Sequence, residues 1–236
     1  MVFRLFAAAL AAGMLAAVLI TGLQGFITTP MILEAEKYEF SALSHEHNHG
    51  APQAHEHGAT EDAGHDAEWM PADGAERTFY SLLANAGAGI GFALLIVVGL
   101  SFNNEAASAS RGILWAAAGF CVFTLSPALG LPPGAPGMPT PDERAAQLWW
   151  VVTVLLSGGG LAAMVFGKNI IVKAVGPVLM AAPHIWGAPP LMSVESALPV
   201  ELAARFSAAS IVLSAVFWSL IGIFSGLFYA RLGHDA

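Results

Sequence analysis

The sequence predicts an all-α integral membrane protein with six transmembrane helices in three repeated helical hairpins, or five helices if the weakest apolar stretch does not span. Hydrophobic residues make up 56% of the 236 residues and charged residues only 11%. The mean hydropathy of +0.65 lies well above that of soluble globular domains. At roughly 20 residues per span, this apolar content accommodates about six spans. A large soluble domain is therefore excluded.

Charge and cysteine content exclude two further classes. The formal net charge of −8 leaves no basic surface of the kind that neutralises a nucleic acid backbone, so we expect no nucleic acid partner. The single cysteine, Cys121, can form neither an internal disulfide nor a paired-cysteine metal site. Thiol chemistry is therefore not the expected function.

The candidate spans belong to one membrane domain that covers the whole chain, 1–236. They lie at about residues 5–29, 79–102, 113–131, 148–166, 170–187 and 206–229. We interpret the first as a retained helix, because it is longer than the roughly 7 to 15 apolar residues of a signal peptide. The fifth stretch is the weakest, since it contains Lys173, Pro177 and Pro183.

An internal repeat supports the fifth span. A motif of the form P-x-[DE]-x-A-x-[RQ] precedes each even-numbered stretch, starting at Pro71, Pro141 and Pro199. The odd-numbered stretches carry a proline near their ends, namely Pro30, Pro127 and Pro183. The simplest account is three parallel hairpins with an insertion in the loop of the first. Chance similarity is the alternative, because both markers are short.

The repeat also predicts the topology. It places the three long loops on one side of the membrane, and both termini with the short connections on the other. Basic residues are nearly balanced between the two sides, whereas most acidic residues fall on the loop side. We predict cytoplasmic termini and a periplasmic location for the inserted segment.

The insertion, residues 44–68, has the composition of a metal-binding segment. It has no apolar periodicity and is rich in Gly, Ala and acidic residues, so we expect it to be disordered without a ligand. It contains six of the eight histidines: His45, His47, His49, His55, His57 and His65. Neutral imidazole suits Co, Ni, Cu and Zn, and the spacing does not select among them. We interpret the segment as a capture loop; the alternative is that its histidines only solvate the loop.

His184 is a second candidate, of a different kind. It follows Pro183 at the end of an apolar stretch, where the backbone is interrupted by Gly187 and further prolines. An ionisable residue at a broken helix end within the membrane is a candidate transport site. Glu34 would face the same vestibule if the hairpins pack around a common axis, and the pair would then bind a divalent cation. The alternatives are an interfacial histidine and an ordinary interfacial acid.

Other polar residues have simpler explanations. Asp73, Glu143 and Glu201 precede or begin even-numbered helices, where acids stabilise the helix dipole; an acidic ring at a cation entrance is the alternative. Glycines at 87, 89, 91 and 158–160 predict close helix packing, and Asn85 among them hints at a polar path. No nucleophile elbow, Walker motif or HExxH motif occurs, so nothing favours an enzyme or a resident cofactor.

Several of these motifs occur in an order that resembles the CbtA family of proposed cobalt transporter subunits. In this sequence they read TTPMILEAEKYE, the His-rich segment, GAERTFYSLLANAGAGIGFALL, SPALGLPPGAPGMP, QLWWVVTVL, APHIWGAPP and LPVELAARFSAASIV. The resemblance covers nearly the whole chain. It implies a permease component of the bacterial inner membrane that supplies cobalt for cobalamin synthesis beside CbtB, a small single-span subunit with histidines. The family is usually described with five spans, one fewer than the six counted here.

These observations together predict inward transport of a divalent transition metal, Co²⁺ in the first place. The residues indicate only a divalent cation, whereas the resemblance supplies cobalt. The alternative from another class is a membrane metal-binding accessory or sensor protein that does not transport. An intramembrane enzyme would require an acid and base pair, for which Glu34 and His184 are the available residues.

Overall fold

The computed structural model describes residues 2–46, 71–102, 106–193, 196 and 198–234. Helices account for nearly all regular structure in these ranges, where β-pairing is limited to one isolated bridge between Pro141 and Leu191. The all-α membrane class is thereby confirmed. Five of the six histidines of the insertion lie outside the described residues.

Six helices follow one another in the order that the apolar stretches predict. They are α1 (Val2–Glu46), α2 (Ala75–Ser101), α3 (Ala109–Ala128), α4 (Glu143–Phe166), α5 (Ile170–Trp186) and α6 (Val200–His234). All except α5 are long and apolar enough to cross a membrane. With 17 residues, α5 has a length of about 25 Å, somewhat less than the hydrocarbon thickness of about 30 Å.

Helix α1 is much longer than its apolar stretch. Its 45 residues correspond to about 68 Å, and it passes through Pro30 instead of ending there. A proline inside a helix removes one backbone hydrogen bond and costs roughly 3 kcal/mol. Burial of Ala35 beyond the proline, against Leu198 and Phe206 near the start of the last helix, offsets part of this cost. The extension includes the backbone of residues 44–46, the start of the predicted insertion.

Four helices form the main bundle, in which α6 packs along both α1 and α3 while α2 packs along α1. The core consists mainly of small alanines of α1 beneath larger side chains such as Ile96, Trp218 and Ile221. Helices α4 and α5 pack on each other and reach the bundle mainly through the second half of α3. The three-residue connection 167–169 favours this antiparallel pairing, because so short a link holds consecutive helices side by side.

The long connections meet at one end of the molecule, which we call the loop end. Ala135, in the connection before α4, packs with Ala35 of α1 and Leu202 of α6. The Ser207 hydroxyl donates to the Pro133 carbonyl at 2.6 Å. Chain segments that the repeat predicts on one side of the membrane thus lie together. Helices α5 and α6, which would form the third hairpin, are not among the helix pairs that pack extensively in the described ranges.

Glycine allows the closest helix crossings. Gly13 faces the backbone of Gly89, Gly112 faces Gly222, and Gly160 faces Gly176, so each position lacks space for a Cβ atom. Among the predicted glycines, Gly89 and Gly160 therefore have the packing role expected of small residues in membrane helices. By contrast, a Cβ at Gly87, Gly91 or Gly159 would meet open space.

The crossing of α3 and α6 provides a test of this packing. We expect Gly112→Ala to lower the free energy of unfolding by about 1–3 kcal/mol, because its methyl group would overlap the Gly222 backbone. Gly87→Ala is the matched control, with a neutral or stabilising effect of up to about 1 kcal/mol from helix propensity. Unfolding of the purified protein in lipid nanodiscs, followed by circular dichroism, measures both. Equal effects at the two positions would contradict the predicted crossing.

Candidate functional site

His184 lies in the last turn of α5 and is half-buried. Its Nε2 atom is 3.3 Å from the Ser126 Oγ atom of α3, and its ring packs edge-on against Trp149 of α4 with a centroid separation of 5.9 Å. Pro183 beside it is fully buried. The imidazole is therefore held where α3, α4 and α5 meet.

A second hydrogen bond extends this arrangement into the interior. The hydroxyls of Ser126 and Ser157 are 2.7 Å apart and both side chains are buried. Ser126 directly follows a π-helical turn, Cys121–Leu125, within α3. Such turns are frequent at functional sites, because they shift side chains out of the regular helical register. Here the hydroxyl of Thr124 in the turn accepts a bond of 3.1 Å from Trp218 Nε1, which ties the turn to α6.

Two polar atoms of α4 are buried and unpaired within the described ranges: Thr153 Oγ1, and Nε1 of Trp149, whose ring contacts His184. Trp149, Thr153 and Ser157 are spaced four residues apart and so share one face of α4. An unsatisfied buried polar group costs about 1–3 kcal/mol, and water or a ligand commonly supplies the missing bond. We call these three residues with Ser126 and His184 the His184 cluster.

The His184 cluster lies well below the loop end of α4. Trp149 is six residues from the helix start at Glu143, or about 9 Å along the axis. Ser157 is fourteen residues from it, or about 21 Å. The hydroxyls of Thr153 and Ser157 are therefore recessed within a helix long enough to span the membrane, and His184 contacts Trp149 nearer to the loop end.

A second polar feature is a cavity of about 400 Å³ between α1, α2 and α6. Asn85 lines it, and the amide nitrogen of this residue donates to Thr21 Oγ1 at 2.9 Å and to Gln24 Oε1 at 2.6 Å. The hint of a polar path at Asn85 thus corresponds to a hydrogen-bonded group between helices. The lining residues with amide or hydroxyl groups are Gln24, Thr28, Thr29, Ser81, Asn85, Ser210 and Ser214.

The acidic residues near the loop end have separate roles. Glu34 is exposed, whereas Glu36 accepts two hydrogen bonds from Arg77, at 2.8 and 3.2 Å. Arg77 also pairs with Asp73 at 3.0 Å. These pairs link the extension of α1 to the start of α2.

Helix capping is only partly as predicted. Glu143 and Glu201 lie in the first turns of α4 and α6, where their charges favour the helix dipole. The side chain that caps α4 is instead Asp142, which accepts a bond from the Ala145 backbone at 2.9 Å. The sequence pattern that identifies it is an aspartate after Pro141, just before the first helical residue.

The predicted metal ligands are thus distributed over different parts of the chain. The contacts of His184 are with Ser126 and Trp149, and Glu34 is not among them. His45 lies in the last turn of α1, while His47, His49, His55, His57 and His65 lie outside the described residues. Within the described ranges, no group of three or more His, Cys, Asp or Glu side chains could hold a metal ion. The sequence reasoning missed Ser126, Thr153 and Ser157. The four-residue spacing of Thr153 and Ser157 in α4 is a signal for those two, whereas Ser126 in α3 carries no such pattern.

Comparison with family models identifies the chain. The model described as "Probable cobalt transporter subunit (CbtA)" matches residues 2–230. The chain belongs to the CbtA family. Comparisons with curated proteins and with solved structures give no significant match. The family assignment, made first from the order of motifs, is confirmed.

CbtA membership and the helices together give the general function. The family description supports a role in metal transport as a subunit, which implies a complex with a partner. Five helices that can span a membrane agree with a multi-pass membrane protein. Both findings agree with the predicted class of function.

The Arg77 ion pair allows a test of how α1 and α2 are joined. We expect the double-mutant cycle of Glu36→Gln and Arg77→Gln to give a coupling energy of about 1–2 kcal/mol, because the pair is bidentate and mostly buried. The free energies of unfolding of the wild type, the two single variants and the double variant are measured in lipid nanodiscs. The same cycle with Asp73→Asn should give less than about 1 kcal/mol, since the Asp73 side chain is 67% exposed. A coupling near zero between Glu36 and Arg77 would contradict the predicted role of this pair.

Proposed function

We propose that this CbtA-family chain is the permease subunit that carries a divalent transition metal, Co²⁺ in the first place, inward across the bacterial inner membrane. The observation that carries the proposal is the His184 cluster, an imidazole recessed among hydroxyls where three membrane helices meet. Supply of cobalt for cobalamin synthesis is the corresponding physiological role.

The composition of the His184 cluster suits passage better than storage. One imidazole is a good ligand for Co²⁺, and hydroxyls and water supply weaker oxygen ligands. A site with several histidines or thiolates would hold the ion too tightly. Conduction requires binding that is favourable enough for entry and weak enough for release. A site with one strong neutral ligand meets this requirement.

The remaining predicted ligands belong to an earlier step. The histidine-rich segment joins the end of α1 to Pro71, so both of its attachment points lie at the loop end. We assign to it the capture of the ion on the periplasmic side, with the termini in the cytoplasm. The exposed carboxylate of Glu34, on α1 near the same end, would take the ion during transfer from the segment to His184.

The driving force would come from the membrane potential or from a partner. A membrane potential of 100 mV, negative inside, favours entry of a divalent cation by about 4.6 kcal/mol, at about 2.3 kcal/mol per charge. The sequence carries no Walker motif for ATP. For the partner we propose a small single-span, histidine-containing subunit like CbtB. Lipid would cover the apolar outer surface of the helices wherever the partner does not. We assign the chain no resident cofactor and no catalytic role.

Replacement of His184 tests the assignment of the membrane site. We expect His184→Ala to reduce Co²⁺ uptake at least tenfold, and to reduce it more than deletion of residues 45–65, because the segment only concentrates the ion. His234→Ala, at the terminal end of α6, is the matched control and should transport normally. Uptake of radioactive cobalt by cells that also express the partner measures all variants at equal membrane abundance. Near-normal uptake by His184→Ala would overturn the assignment.

The histidine-rich segment also favours a second candidate function. Six histidines outside the apolar stretches could bind metal with no need for translocation, as in an accessory or sensor protein. Proteoliposomes that contain the purified chain, with and without the partner, separate the two functions. Co²⁺ flux supports the permease, whereas micromolar binding without flux in either preparation supports the accessory role.

A further inference from the structure

The cavity around Asn85 is separate from the His184 cluster and has a different chemistry. Helices α1, α2 and α6 line it, whereas the cluster lies between α3, α4 and α5. Its polar lining consists of amides and hydroxyls without an ionisable side chain. Apolar side chains such as Ile20, Leu213 and Phe217 complete the wall.

The polar side chains of the cavity lie several turns into their helices. Asn85 is ten residues from the start of α2, or about 15 Å along the axis. Ser210 and Ser214 are ten and fourteen residues from the start of α6, or about 15 and 21 Å. Polar groups from two facing helices therefore meet well inside the apolar part of the bundle.

The hydrogen bonds of Asn85 determine what the cavity offers a ligand. Both bonds use the amide nitrogen as donor, so the carbonyl oxygen is left as the acceptor that Asn85 can present. Amides and hydroxyls donate and accept, as water does, but they are weak ligands for a bare divalent ion. Such a lining therefore matches the water shell of an ion better than the ion itself.

We propose that this cavity is a water-filled chamber that admits a divalent cation together with its hydration shell, and that Asn85 maintains its polar wall. Six water molecules occupy about 180 Å³ at roughly 30 Å³ each, which fits within the 400 Å³ available. The identity of the cation rests on the proposed function, whereas the hydration of the chamber does not.

Cysteine labelling tests the hydration independently of transport. Single cysteines are introduced by Ser210→Cys, Ser214→Cys and Val212→Cys in a Cys121→Ser background. Ser210 and Ser214 line the cavity, while Val212 between them is 61% exposed on another face of α6. A membrane-impermeant trimethylammonium methanethiosulfonate should label the two cavity positions at least tenfold faster than position 212, because a thiol must ionise in water to react. Equal labelling rates at the three positions, or no reaction at any of them, would overturn the proposal that the cavity is filled with water.

Transport assays then test whether the cation uses the chamber. Asn85→Leu removes the polar centre, and Ser214→Leu fills the cavity while the bonds of Asn85 remain. Both variants should reduce Co²⁺ uptake at least tenfold, with Val212→Leu as the control at wild-type rate and with gel filtration to verify folding. Normal uptake by a folded Ser214→Leu protein would overturn passage through the chamber. Absence of uptake by the wild type would instead overturn the proposed function, and the labelling result would still decide the hydration.

Discussion

A lipid bilayer provides no water for polar groups, so each amide, hydroxyl or imidazole within it must be paired inside the protein or hydrated in a cavity. This constraint organises the polar interior of the molecule. Asn85 bonds to Thr21 and Gln24 across α1 and α2, and Trp218 bonds to Thr124 across α6 and α3. In the described ranges, pairing is incomplete at Thr153 and Trp149 of the His184 cluster, and also at Ser225, Arg4 and Arg77. At the first two positions a ligand or water could supply the missing bond.

Glycine crossings permit this interior to form. Close backbone contact at Gly13 and Gly89 brings α1 and α2 together, and Gly160 and Gly176 bring α4 and α5 together. These two helix pairs enclose different polar sites, one around an amide and the other around an imidazole. The molecule therefore combines two polar environments in one bundle, a cavity lined by amides and hydroxyls and an imidazole beside buried hydroxyls.

The sequence predicted the helices because apolar stretches of about 20 residues have few other stable structures in a membrane. It also indicated His184, since an ionisable residue after Pro183 is unusual in an apolar stretch. It did not predict that α1 continues through Pro30, because the compensating contacts of Ala35 come from residues more than 90 positions away. Ser126 and Ser157 escaped notice for the same reason: a hydroxyl in an apolar helix is ordinary until a partner on another helix is known.

The length of α1 has a consequence for metal capture. If the bilayer ends near Thr29, α1 continues for seventeen more residues, to Glu46, or about 25 Å along its axis. Anionic phospholipid headgroups accumulate cations within a Debye length, about 8 Å at physiological salt. The helix therefore carries the backbone of His45 beyond that layer. The metal capture that we propose for the segment would then draw on ions in bulk solution, without competition from the lipid surface.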